Sequence, residues 1–257
     1  MDWIVEDRGE IEVWTLNGEA RRNSITCAAL RQLLDELHRA AEARRLRCVV
    51  LTGAGQRAFC AGADLKERAR MSEAEVHAFH ADLRAALRSI ETSPKVFVAA
   101  LNGAALGGGL ELALACDLRV MSSAAELGLP EVSLGIIPGG GGTQRLARAI
   151  GVARAKDLVL TARRIDVAEA LAYGLVTRAA PPELLRQVAL ETAAEVARNA
   201  PVSLRQAKRA IDGGLHLPME EALDLENRLY QDCLGTKDRL EALRAFAEKR
   251  SPSFTGE

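Results

Sequence analysis

The chain has 257 residues, with 34 Lys and Arg against 35 Asp and Glu and a formal net charge of −1. That length can bury a core needing neither disulfides nor metal, and the even charge excludes nucleic acid or an anionic membrane as a bulk electrostatic partner. Five scattered cysteines (Cys27, Cys48, Cys60, Cys116, Cys233), with no C-x-x-C pair, argue against a disulfide framework or zinc site and favour a reducing compartment.

Residues 2–7 and 10–16 alternate apolar and polar side chains, and Gly9 between them predicts a hairpin turn. Leu30, Leu33, Leu34 and Leu37 recur at helical spacing within residues 26–45. The apolar run over 47–52 reads as a buried strand. Ser72, with Glu75 three residues on, has the capping-box form and predicts a helix that stops before Pro94. Residues 96–101 and 118–121 repeat the buried-strand pattern, and Leu175–Thr177 reads as a last strand. Beyond it, 182–198, 201–212, 218–234 and 236–250 predict helices, several opened by an early proline. Alternating strand and helix in the first half argues for an α/β layer with parallel strands. The helical tail must pack on its own core or on a neighbouring subunit. The arginines after residue 143 read as solvated helix faces.

Three glycine clusters each follow a predicted strand. Gly53-Ala-Gly55-Gln-Arg-Ala58 matches G-x-G-x-x-A, but the residues after it lack helical periodicity, which argues against a dinucleotide site. Gly107-Gly-Gly109 runs into an Ala/Leu stretch and predicts a tight loop feeding a buried helix. Free N–H groups at such a start can hold an anion or a developing oxyanion, although glycines that only allow close packing explain the pattern as well. Gly139 to Gly142, after Pro138, precede a helix beginning near Thr143; no Lys-Ser or Lys-Thr follows, so this is not a P-loop. His77 and His80 lack a third ligand nearby and read as a solvated face, not a metal site.

Three segments, in order, resemble the enoyl-CoA hydratase/isomerase (crotonase) family. They are Phe59-Cys-Ala-Gly-Ala-Asp-Leu-Lys-Glu67, the stretch Asn102 to Asp117, and the stretch Pro130 to Leu146, and the similarity extends to Ala245-Phe-Ala-Glu-Lys-Arg250. The resemblance implies an α/β crotonase-type (ClpP/crotonase) spiral of ββα units. A core over 1–195 would bind coenzyme A and carry catalysis, and a helical C-terminal region over 196–257 would serve trimerisation. The implied reaction is reversible addition of water across the 2,3 double bond of an acyl-CoA thioester. The thioester carbonyl is expected between the backbone N–H groups of Ala63 and Gly108, a donor of this kind being worth about 2.7–4 kcal/mol of barrier. Glu111 is expected to activate water for attack at C3 and Glu131 to exchange a proton at C2, each step worth roughly 100- to 10,000-fold. Two acids favour hydration over isomerisation. Without the resemblance, Glu111 reads as charge complementarity at a helix start and Glu131 as an exposed loop acid.

The same resemblance assigns Ala61, Asp64, Leu65, Lys66, Gly107, Pro130 and Gly139 to coenzyme A or substrate binding. Phe246 and Lys249 would complete the pocket from the next subunit of a homotrimer, or of a hexamer of two trimers; a core anchor and a solvated cation are the competing readings. No metal or cofactor is implied, coenzyme A being part of the substrate. Gly62 to Ser72, Leu110 to Asp117, Ile136 to Arg145 and the closing residues are most similar to methylglutaconyl-CoA hydratases of leucine degradation. That implies conversion of 3-methylglutaconyl-CoA to 3-hydroxy-3-methylglutaryl-CoA, the alternative being a crotonyl-type substrate of β-oxidation. The distal carboxylate calls for a cation or N–H cluster, for which several arginines could serve. Mammalian relatives bind RNA through lysines on the first long helix; those positions here are Cys27, Arg31 and Asp35, so no nucleic-acid partner is expected. With no signal-peptide pattern and no run long enough to span a bilayer, a cytoplasmic protein without a membrane partner is expected.

Overall fold

In the computed structural model, which describes residues 1–257, the chain opens with the antiparallel hairpin of β1 (Trp3–Asp7) and β2 (Ile11–Leu16). Helix α1 (Cys27–Glu42) starts where the Thr26 side chain accepts from the Ala29 amide, and its Leu30, Leu33 and Leu37 face the core. Strand β3 (Cys48–Gly53) is followed by the short β4 (Ala58–Cys60) and a single helical turn, α2 (Leu65–Arg68). Helix α3 (Glu73–Glu91) begins at the Ser72–Glu75 capping box, each side chain accepting from the other's backbone amide.

Strand β5 (Val96–Leu101) is buried throughout, and β6 (Ala104–Leu106) leads through Gly107 into α4 (Gly108–Ala115). Next come β7 (Leu118–Ser122), β8 (Leu127–Gly128) and a 3-10 turn over Glu131–Leu134. Helices α5 (Gly142–Ile150) and α6 (Val152–Thr161), strand β9 (Arg164–Ile165), α7 (Val167–Ala172) and β10 (Arg178–Ala180) follow. The chain closes with α8 (Leu185–Ala197), α9 (Pro201–Gly214), α10 (Met219–Leu234) and α11 (Lys237–Ala247).

Two sheets result. The larger runs β1-β2-β3-β5-β7-β10 and is parallel apart from the opening hairpin; the smaller runs β4-β6-β8-β9. Each of β3, β5 and β7 therefore passes to the short strand after it and then to helical structure. This is the spiral of ββα units expected from the sequence.

Period-2 alternation explains why the central strands are apolar on both faces. Val49, Leu51, Phe97, Ala99 and Leu101 join the main core with α1, α3 and α4. Their neighbours Cys48, Val50, Val96, Val98 and Ala100 face the other way and pack on Leu185, Ala189 and Ala193 of α8. Helix α8 thus covers one face of the sheet, leaving the ends of α4 and α5 on the other side to shape the site. Lys208 of α9 donates to the carbonyls of Ile90 and Lys95 and pairs with Asp117, tying the tail to the core.

One strand falls elsewhere than expected. Leu175 and Val176 are buried but unpaired in the sheet, and the parallel partner of β7 is Arg178–Ala180, three residues later. The Leu175 amide instead donates to the Ala170 carbonyl, closing the end of α7. An apolar run marked burial there, not sheet pairing.

Candidate active site

The three ββα units converge on one cavity of about 1250 Å³. Its first wall is the loop from β4 into α2. Ile25 donates to the Gly62 carbonyl and Asp64 donates to the Ile25 carbonyl, while the Ala63 N–H between them has no partner in the chain. The second wall is the start of α4. Gly108 is the first residue of that helix, so its N–H has no acceptor within it, and it sits at the positive end of the helix dipole. The two walls nearly touch. A β-carbon on Gly62, whose φ is +89°, would lie 3.0 Å from the Leu106 carbonyl oxygen and 3.2 Å from the Gly108 nitrogen. One placed on Gly108 would lie 3.7 Å from the Ala63 nitrogen, so two amide donors stand side by side. Close approach of the two loops requires glycine here.

Two carboxyl groups flank these amides. Glu111, in the first turn of α4, is only 2% exposed. The Gly142 N–H donates to its Oε1 at 2.7 Å, and a β-carbon on Gly140 would lie 2.5 Å from its Oε2. Burial pushes the Glu111 carboxyl up; the amides of Gly142 and Gly140 pull it back, as do the charges of Arg145 and His80. Glu131 belongs to the 3-10 turn and lies against Gly107, where a β-carbon would come within 3.2 Å of its Oε1. Its Oε2 is buried with no hydrogen-bond partner. Burial, reinforced by the Glu111 charge, pushes Glu131 up to about 7. The reading of Glu131 as an exposed loop acid does not hold: it is 8% exposed.

Ala61, Leu65, Pro130 and Gly139 also line this cavity. Asp64 and Lys66 do not. The Asp64 carboxylate is occupied, accepting from Ser24 and from the Lys66 and Glu67 amides as the cap of α2; the Ser24 bond first of all holds it below the usual carboxylate range. The Lys66 side chain is exposed on that turn. Phe246 and Lys249 lie outside the cavity of their own chain, and Phe246, 86% exposed, is no core anchor. Gly53 ends β3 and strand β4, not a helix, follows it, so the G-x-G-x-x-A match lacks the helix start that a dinucleotide site needs.

The cavity also holds residues that periodicity did not single out. Helix α3 contributes His80, Arg84 and Arg88, and α5 contributes Arg145. Arg145 is not on a solvated face: its side chain is 17% exposed and pairs with Glu91. Its position just after a glycine run was the available signal. Arg68 and Arg84 have no ion pair or side-chain hydrogen bond within the chain. Leu134, Ile136 and Ile137 supply an apolar stretch of wall.

A family described as enoyl-CoA hydratase/isomerase matches residues 6–257. The chain belongs to that family. It is similar to the crystal structure of an enoyl-CoA hydratase from Bacillus anthracis, with a TM-score of 0.98, 46% identity and all of each chain covered. YngF of Bacillus subtilis strain 168, whose name places it among enoyl-CoA hydratases/isomerases, is 45% identical over 242 residues, 94% of this chain and 93% of that protein. The mitochondrial methylglutaconyl-CoA hydratase of rat is 43% identical over 256 residues, 98% of this chain and 81% of that protein. Enoyl-CoA hydratase/isomerase activity is thus the chain's coarse function, and an acyl-CoA thioester suits a cavity with paired amide donors. No helix is long and apolar enough to cross a membrane.

Proposed function

We propose that this enoyl-CoA hydratase/isomerase is a hydratase, with Glu111 as base toward water and Glu131 as proton donor to C2. The carrying observation is the opposite environment of two buried carboxyls beside one pair of amides. Glu131, pushed up to about 7 by burial and with an unpartnered oxygen, is protonated in a substantial fraction of molecules at neutral pH and so can act as an acid there. Burial raises Glu111 too, but the Gly142 amide fixes it and nearby donors and cations offset part of that rise, favouring its ionised form more than anything near Glu131 does. Groups whose proton affinities are set apart in this way divide acid from base work. Water loses a proton to Glu111 as its oxygen bonds to C3, and C2 takes a proton from Glu131. The Ala63 and Gly108 amides hold the thioester oxygen as negative charge develops on it. Exchange with solvent then resets both acids. Isomerisation needs only one shuttled proton.

For the acyl group we propose 3-methylglutaconyl-CoA, hydrated to 3-hydroxy-3-methylglutaryl-CoA. The likeness to the rat enzyme supports this, as do Arg68 and Arg84, cations at the cavity free of intramolecular ion pairs and suited to a distal carboxylate. A crotonyl-type substrate is the second reading, favoured by the apolar wall of Leu134, Ile136 and Ile137. We further propose that residues 196–257 assemble the chain into a homotrimer or a hexamer of two trimers. Leu240, Leu243 and Phe246 of α11, each more than half exposed, fit burial against a second copy, and light scattering would read three or six chains.

The test follows the enoyl-thioester absorbance with 3-methylglutaconyl-CoA and crotonyl-CoA in parallel, for the wild type, Glu111→Gln and Glu131→Gln. Preferential turnover of the branched diacid, lost in both variants, is the expected result. Turnover of crotonyl-CoA alone keeps the mechanism and discards the substrate. Full activity in either variant ends the two-acid reading.

A further inference from the structure

Behind Glu111 stands an ion pair that the proton transfers do not use. Glu91 is the last residue of α3, and Arg145 lies in the first turns of α5. Arg145 Nε donates to Glu91 Oε1 at 3.2 Å, Nη2 donates to Oε2 at 3.1 Å, and Nη1 donates to the Gly140 carbonyl at 2.7 Å. Arg88 donates to the same Glu91 Oε2 at 3.0 Å from the other side. All three guanidinium nitrogens of Arg145 are therefore engaged, although the residue lines the cavity. Gly140 belongs to the strap that carries Gly142, whose amide grips Glu111, and Gly141 between them turns at φ 101°. A glycine strap has little stiffness of its own. Something outside it must hold its amides on the carboxylate.

We propose that Arg145 is a positioning residue for Glu111: gripped by Glu91, it pins the Gly140 carbonyl and thereby holds the strap's amides against the base. The inference rests on the reading of Glu111 as the base toward water. Its rival is a through-space effect of charge alone. The charged and titratable groups facing Glu111 are Arg145 from α5, His80 from α3 and Glu131 from the 3-10 turn, with Glu91 and Arg88 behind Arg145. Charge and position separate on substitution. Arg145→Lys keeps the charge but cannot bridge two carboxylate oxygens and a carbonyl at once. Glu91→Gln keeps the Arg145 charge and removes its grip.

The experiment measures kcat, KM and the pH profile of kcat/KM with the better substrate for Arg145→Gln, Arg145→Lys, Glu91→Gln and Glu111→Gln, checking each fold by its unfolding midpoint. Positioning predicts that kcat of Arg145→Gln falls about 100-fold, the scale of a roughly 1 Å misplacement, with KM little changed. The acidic limb should move to higher pH, because the ionised base loses donors and a cation. Glu91→Gln should shift both quantities in the same direction, Arg145→Lys should restore only part, and the Arg145→Gln/Glu91→Gln pair should be no worse than Arg145→Gln. Several results overturn the proposal: full kcat in Glu91→Gln, an acidic limb moved to lower pH there, complete rescue by lysine, or a rise in KM alone. Should Arg145→Gln fail to fold, Glu91→Gln and Arg145→Lys still decide. An active Glu111→Gln removes the base assignment and this inference together; an inactive one with an unshifted acidic limb in the others removes this inference only.

Discussion

The two glutamates at the cavity lie on walls built in opposite ways. On the α4–α5 side, Glu111 is bonded by the Gly142 amide and faces Arg145, itself locked by Glu91. On the 3-10 turn, Glu131 has an oxygen sealed from solvent without a donor. Burial pushes both carboxyls up; the first wall pulls back with two amides and two cations, the second only with the backbone amide of Glu131 itself. The difference teaches that proton affinity is set here by how many donors the backbone brings, not by depth alone. It also has a stability cost, because a buried polar atom left unpaired is worth roughly 1–3 kcal/mol.

The strongest attempt to break this comparison removes each acid in turn. Glu111→Gln and Glu131→Gln should each lower kcat by roughly 100- to 10,000-fold, and the double variant should lose less than the product, since the two act as a unit. Steady-state kinetics with isothermal binding of an unreactive acyl-CoA would separate catalytic loss from lost affinity. Next in size is the acyl end. Arg84→Ala and Arg68→Ala should raise KM for 3-methylglutaconyl-CoA by about 10-fold, the worth of a charge-assisted bond, and leave crotonyl-CoA nearly unaffected. Equal effects on both substrates would move these arginines to the coenzyme A moiety.

A smaller effect concerns pH. Hydration uses Glu131 protonated with Glu111 ionised, and dehydration uses the reverse. The two forms carry the same number of protons and the reaction takes up none, so kcat/KM should fall above about 7 in both directions alike. A kcat/KM that stays flat through pH 7 would contradict the assignment. The smallest effect is on stability. Glu131 binds its proton more tightly in the folded chain, with the affinity raised from 4.5 to about 7. Its contribution to stability is therefore complete at pH below 4.5 and is lost as pH rises through about 7. Thermal melts should show Glu131→Gln gaining on the wild type across that window, and unchanged relative midpoints would mean that Oε2 is better solvated than its surroundings suggest.

Much of the scaffold was legible because its signals are local. The Ser72–Glu75 box, the turn at Gly9 and the buried strands each depend on fewer than ten consecutive residues. The smaller sheet was not legible: its strands hold two or three residues, too few for any period to emerge. Leu175–Thr177 misled because burial and strand pairing share the same apolar code. Asp64 looked like a ligand residue by its place in a motif, yet its oxygens are spent on Ser24 and a helix start.

By itself the sequence determined which backbone could form: glycine where loops must nearly touch, caps where helices must begin, and the two acids placed beside glycine-rich segments, Glu111 just after one and Glu131 shortly before the next. Tertiary structure alone decided what those acids are. The Gly142 amide that grips Glu111 is 31 residues away along the chain, and the arginine that steadies its strap is held by a carboxylate 54 residues before it. Neither contact leaves a trace in local pattern. Desolvation and hydrogen bonding act through space, over a few ångströms, whatever the distance along the chain.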